Sequence, residues 1–195
     1  MGTDWAGRPI DTTASDETLR ELLGNDEAAR SMASERVIAN PERFNPQVFY
    51  GLSARLVAEE RHEDAMFWFY TGQLRARFDA NRCTDELAGV VVGRLNDMFG
   101  PAVNRYAFQH LDLLESTVGR VLEFDRATAH EYDPRWINRG TPGAMTAAMA
   151  GQALDPTTMT RPGDEWPAIA ERTRTEYAAG FAEALRKARA SASEG

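Results

Sequence analysis

Three histidines, one cysteine and scattered carboxylates are the side chains in this sequence suited to proton transfer, metal binding or nucleophilic attack. His62, His110 and His130 stand far apart, and no HExxH or HxxxH spacing puts two of them on one helical face, as a metal site needs. His130 opens the run His130-Glu131-Tyr132-Asp133, which has suitable residue types but falls where a helical period ends. A histidine in that position complements the helix dipole. Cys83 is the only cysteine, which excludes an internal disulfide and a four-cysteine zinc site. It forms a nucleophilic dyad with His110 only if the fold joins them. Neither a GxSxG elbow nor a glycine-rich phosphate loop is present. Glu123 with Asp125, and Asp112 with Glu115, are pairs that an acid–base mechanism could draw on, but in an acidic helical chain such pairs line solvated faces. The expectation is no catalytic residue, no bound metal and no cofactor.

A different kind of site is suggested by residues 132–143, YDPRWINRGTPG, where two prolines and two glycines break the helical period into an ordered loop. Asp133, Arg135, Trp136, Asn138 and Arg139 surround a large aromatic with charged and amide groups, the composition enriched in protein-binding hot spots. The alternative is that Trp136 plugs the core and Asp133 caps a turn. Glu59, Glu60 and Asp64, in a charged run between two apolar segments, are further candidate contact residues.

Composition narrows the partner. The 195 residues carry 30 acidic against 22 basic side chains, a net charge of −8, and Lys187 is the single lysine. This argues against binding nucleic acid through its phosphates, and an acidic surface steers toward partners with basic patches. No apolar run approaches the ~20 residues of a membrane-spanning helix. The opening MGTDWAGRPIDTTASDE has neither a basic nor an apolar signal region, so the expectation is a cytoplasmic protein, or a periplasmic one if a signal peptide has been removed.

These residues must be positioned by helices. Residues 45–80 hold the densest aromatic cluster. Val48, Phe49, Leu52 and Leu56 recur at helical spacing. A second helix carries Phe67, Tyr70, Leu74 and Phe78 on one side, and Ala65, Phe69, Gly72 and Ala76 on another. Apolar on two sides, it belongs between layers at the centre of the domain, and its small residues admit a neighbouring helix closely. Phe49, Leu52, Ser53 and Leu56, then Ala65, Phe69 and Gly72, resemble one tetratricopeptide or Sel1-like repeat over residues 46–78, with Arg77 where the closing proline would stand. The resemblance implies an antiparallel helical hairpin. It also implies groove positions at Gln47, Tyr50, Gly51, Ala54, Val57 and Ala58, which are mostly apolar here.

Around this pair the sequence predicts an all-α single domain of seven to nine helices and essentially no sheet. Residues 1–14 form an extended, poorly ordered lead. Ser15 caps a first helix with Leu19, Leu22 and Leu23 inward, ended by Gly24 and Asn25. A second helix over residues 26–39 turns Ala29, Met32, Ala33 and Val37 inward. Thr84 caps a helix whose stripe is Leu87, Val90, Val91, Leu95 and Met98, and Gly100-Pro101 marks a boundary between helices. A short helix and a longer one then meet near residues 110–112. A small-residue helix over residues 144–153 follows, and a last amphipathic helix from Asp164 or Glu165 to about Ala190 packs on the domain with Trp166, Ile169, Thr173, Tyr177, Phe181 and Leu185 on one face. Residues 15–190 are the domain and residues 191–195 a disordered tail.

The function expected of such a chain is stoichiometric binding of another protein. By size and charge it is similar to bacterial immunity proteins, which neutralise a toxin. The alternatives are an enzyme with a carboxylate and histidine site assembled from separate helices, and a tetratricopeptide-like peptide-binding adaptor.

Overall fold

The computed structural model describes residues 8–152 and 155–193, and the parts of the predicted lead and tail at residues 1–7 and 194–195 lie outside them. The protein is an all-α single domain. Among the described residues eight α-helices follow in order: α1 (Thr13–Leu23), α2 (Glu27–Ala39), α3 (Pro46–Ala58), α4 (His62–Arg82), α5 (Gly89–Ala107), α6 (Leu111–Ala127), α7 (Pro142–Met149) and α8 (Trp166–Ser193). Short 3-10 turns at Pro41–Arg43, Glu86–Ala88, Pro134–Gly140, Pro156–Thr158 and Gly163–Glu165 join them. Among the described residues there is no strand, only an isolated bridge between Cys83 and Thr160. Among the described residues no helix is long and apolar enough to cross a membrane.

α4 is the axle. Helices α3, α5, α6 and α8 all pack against it, and Phe69, Tyr70, Leu74 and Ala76 are sealed in its middle. The hairpin of α3 and α4 closes tightly because Gly72 has no side chain. A Cβ there would lie 3.2 Å from Cβ of Phe49 and 3.2 Å from the Tyr50 ring. The groove positions implied by the repeat resemblance are partly covered: Tyr50 bonds Asn96 of α5, and Gly51 lies against the Leu19 side chain of α1.

Several boundaries differ from those the sequence predicts. α1 begins at Thr13, one turn early, so Ser15 is a buried residue inside it and donates no cap; its hydroxyl accepts from the Asn45 backbone instead. Residues 8–12 are tied down rather than loose, because the Asp11 backbone N–H donates to Asp133. Leu23 and Met32 are exposed, their turns having no neighbour to cover them. Asp85, not Thr84, caps the turn before α5. α5 runs straight through Gly100-Pro101. The hydrogen bond that proline cannot donate would fall on Asp97, which is exposed so that water can take its place, while Gly100 lets the Phe69 ring approach to 3.3 Å of where a Cβ would be. α7 spans Pro142–Met149 rather than residues 144–153, started by the Thr141 hydroxyl, which accepts from the Ala144 backbone. Ser191–Ser193 continue α8, so that part of the tail is helical.

Candidate functional site

The loop singled out by its composition faces inward. Asp133 accepts from the Arg135 backbone N–H and caps the turn Pro134–Gly140. Its carboxylate also forks with the Arg135 guanidinium at 2.9 and 2.7 Å. Arg135 reaches on to the carbonyls of Arg8 and Pro9, which locks the segment before α1 onto the turn. Trp136 donates its indole N–H to Asp79 at 2.6 Å, and the Asn138 side-chain oxygen accepts from the Cys83 thiol. Asp133, Arg135, Trp136 and Asn138 are therefore buried structure and present nothing to a partner; Arg139 alone of the five is exposed, where it bonds Thr12 and Asp16. An interface hot spot and an interior lock use the same ingredients, an aromatic with satisfied charges, so composition does not separate them.

Glu59, Glu60 and Asp64 sit together at the tip of the α3–α4 hairpin. Arg61 pairs with both Glu59 and Asp64, and Arg55 takes Glu59 as well, so two of the three acids are already neutralised. Glu60 has φ 59 at the turn and makes no ion pair among the described residues.

The histidines divide. His110 is exposed and stacks on Tyr106, whose other face His62 covers at the start of α4. Cys83 lies just past the end of that helix, which places it ~30 Å from His110 and rules out the dyad. Burial pushes the Cys83 thiol up, further from a reactive thiolate.

His130 is different. α6 has ended at Ala127, and the chain folds back so that His130 Nε2 donates to Asp125 Oδ1 at 3.0 Å; the histidine serves that carboxylate rather than the helix dipole. Arg75 adds a bond to the same oxygen at 3.3 Å, and Arg174 of α8 takes the other at 2.8 Å. Burial alone would raise the Asp125 carboxyl, but the His130 bond, the cationic charge around it and the Arg174 bond hold it well below the usual range. Burial, followed by the Arg75 charge, lowers His130, so it is neutral and donates from Nε2.

Alongside lies a second sealed carboxylate. Asp79 accepts from Arg82, from the Tyr132 hydroxyl at 3.1 Å and from Trp136. The Arg82 guanidinium is sandwiched between the rings of Phe78 and Trp166, at 4.3 and 4.5 Å. Both centres open onto a cleft of about 630 Å³ between the ends of α4 and α6 and the start of α8. No periodicity points to this cluster, because its members come from three helices and a turn. Among the described residues, no three His, Cys, Asp or Glu side chains are grouped to hold a metal ion. The other carboxylate pair, Asp112 with Glu115, is exposed and bound to Arg189.

On a separate face the surface is apolar. α5 buries Val91, Val92, Leu95 and Val103, but the adjacent stripe of Leu87, Val90 and Met98, expected inside, is 52%, 39% and 72% exposed. α7 brings Met145 and Met149 to the same side, 51% and 90% exposed. Arg94, midway along the stripe, touches the Met145 sulfur and bonds the Gly140 carbonyl, which joins the two helices into one face. No residue of α7 is buried, although most of them are apolar. Asp85, Glu86 and Asp97 stand at the margin.

Comparison with protein-family models, curated proteins and solved structures finds no match for this chain.

Proposed function

We propose that this protein acts by stoichiometric binding of another protein, and that the face built by α5 and α7 around Arg94 is the contact surface. The observation that carries the reading is α7 itself, an apolar helix with no buried residue, beside a second unburied stripe on α5. Contiguous exposed hydrocarbon of this kind marks interaction sites, and methionine adapts to irregular partners. The margin of Asp85, Glu86 and Asp97 and the net charge of −8 suit a partner with an apolar anchor set among basic residues. In its finer form the reading is an immunity protein that neutralises a bacterial toxin one to one.

The test is capture of the partner from the native host, followed by binding kinetics and assay of the partner's activity. Met149→Asp and Met145→Asp should slow or abolish binding while the circular dichroism spectrum and Tm stay unchanged. The association rate should fall as salt shortens the Debye length to ~10 Å. A partner that binds both variants as tightly as the wild type would remove this face from the account, and one whose activity is untouched at saturation would remove neutralisation.

The competing reading, an enzyme with a carboxylate and histidine site assembled from separate elements, has one observation in its favour. That is the neutral His130 held by Asp125 at the edge of a cleft. A substrate-turnover screen in which activity vanishes with His130→Gln would select it.

A further inference from the structure

We propose that the cleft beside His130 is a binding site for a phosphate group, and that its occupation is coupled to a proton at His130. Three arginines reach it from three elements. Arg82 comes from the end of α4, Arg126 from the end of α6 and Arg174 from α8. Each has used only part of its donor set. Arg82 spends Nε and Nη2 on Asp79. Arg174 spends Nε on Asp125 and Nη1 on Glu171, and Arg126 spends Nη2 on Glu171. Arg82 Nη1, Arg174 Nη2 and Arg126 Nη1 have no partner among the described residues. Among the described residues the enclosed nitrogen and oxygen atoms that lack partners lie elsewhere, at Arg30, Asn45, Arg55 and Thr117, so Arg82 Nη1 and Arg174 Nη2 are accessible to solvent, as is the half-exposed Arg126, and all three side chains line the cleft.

Most of the neighbouring carboxylates are already engaged: both oxygens of Asp79, of Asp125 and of Glu171 accept from donors around the cleft. Glu131 also lines the cleft, but it is exposed, so water and salt screen its charge from an anion. Arg82 is the strongest of the three donors. Phe78 and Trp166 cover both faces of its guanidinium, so water solvates it only at the edge and an anion there replaces little hydration. Donors supplied to one cleft by three helices fit a tetrahedral group better than a planar carboxylate, which one arginine fork saturates.

His130 supplies the proton coupling. Its Nε2–H is held by Asp125, so Nδ1 carries the lone pair, and it too has no partner among the described residues. The groups that face the ring are Asp125 from α6, Arg75, Asp79 and Phe78 from α4, and Tyr132 stacked at 5.8 Å. A phosphate group next to Nδ1 is accommodated as the monoanion, whose P–O–H donates to Nδ1, or as the dianion with His130 protonated. In both cases the bound complex holds one more proton than free neutral His130 and free dianion.

The test is a titration of inorganic phosphate into the full chain at constant ionic strength, with chloride as the reference anion. It is read by calorimetry and by the His130 ring resonances. Saturable one-to-one binding that shifts His130 and tightens as pH falls from 8 to 6 is expected. Arg174→Gln and Arg126→Gln should each weaken it roughly tenfold, the loss of one charge-assisted bond. His130→Gln should keep binding but lose most of its pH dependence. Arg126 is half exposed and pairs only with Glu171, so its variant should melt like the wild type and remains informative if Arg174→Gln unfolds. The proposal is overturned if phosphate perturbs His130 no more than chloride does, if Arg126→Gln binds as tightly as the wild type, or if acetate binds as tightly as phosphate.

Discussion

Around Asp79 and Asp125 the protein buries arginines and carboxylates, whereas around Arg94 it leaves three methionines, a leucine and a valine in solvent. The two regions reverse the ordinary placement of charge and hydrocarbon, and they do so at different cost. In the first, every ion has its counterion and supplementary hydrogen bonds, so what is stabilised is one particular packing of α4, α6 and α8. In the second, nothing within the chain is gained by the exposure. That asymmetry teaches where to look for a partner: the charged interior is complete apart from its cleft edge, and the apolar exterior is not.

The sharpest way to break the comparison is Asp79→Ala. It strands the Arg82 guanidinium and leaves the Tyr132 hydroxyl and Trp136 N–H without acceptors, so it should cost ~3–5 kcal/mol in urea denaturation. Phe69→Ala, in the purely apolar part of the same helix, should cost about as much, also ~3–5 kcal/mol, through a cavity. A far smaller loss for Asp79→Ala would mean that the charged centre is dispensable.

Acid acts on the same centre with a smaller effect. His130 has a folded pKa below its ordinary 6.5 and Asp125 one below its ordinary 3.8, so both bind fewer protons in the native state. Stability should therefore rise with pH across each window. It is complete above about 6.5, falls as pH drops through the His130 pKa, and falls again below 3.8 as Asp125 protonates. Thermal melts from pH 7.5 to 5 should show Tm declining, and His130→Gln should flatten that decline. A rise in Tm over this range would contradict the neutral assignment of His130.

The smallest effect belongs to the outer face. Met145→Ser with Met149→Ser should alter stability by no more than ~0.5 kcal/mol, since the only contact given up is the exposed one between Met145 and Arg94. A larger loss would show that α7 is held by its methionines and is part of the core.

The sequence was informative where burial follows a period. The α3–α4 hairpin, the central place of α4 and the buried side of α8 at Ile169, Thr173, Tyr177 and Leu185 are all legible as apolar spacing. On α5 the same rule overreached, because Leu87, Val90 and Met98 satisfy the helical period while lying on a stripe that no other helix covers. Gly100-Pro101 is local punctuation that the surrounding helix overrides. The His130 cluster was not legible, since Arg75, Asp125 and Arg174 are separated by about 50 residues at each step and meet only through helix packing. Trp136 and its neighbours were visible as a special group, but the direction they face depends on Asp79, a carboxylate with nothing local to mark it.

The contact between Arg135 and the carbonyls of Arg8 and Pro9 spans 127 and 126 positions. On the ribosome, at 5–20 residues per second, Arg8 and Pro9 wait roughly 6–25 s for the side chain that will hold them. α1, α2 and the α3–α4 hairpin emerge in that interval and can pair locally, but residues 8–12 cannot dock until the turn Pro134–Gly140 has left the exit tunnel. Closure of this ring is thus timed by translation, and a nascent chain stalled before Pro134 should be cut by proteinase K within residues 8–12, where the finished protein resists.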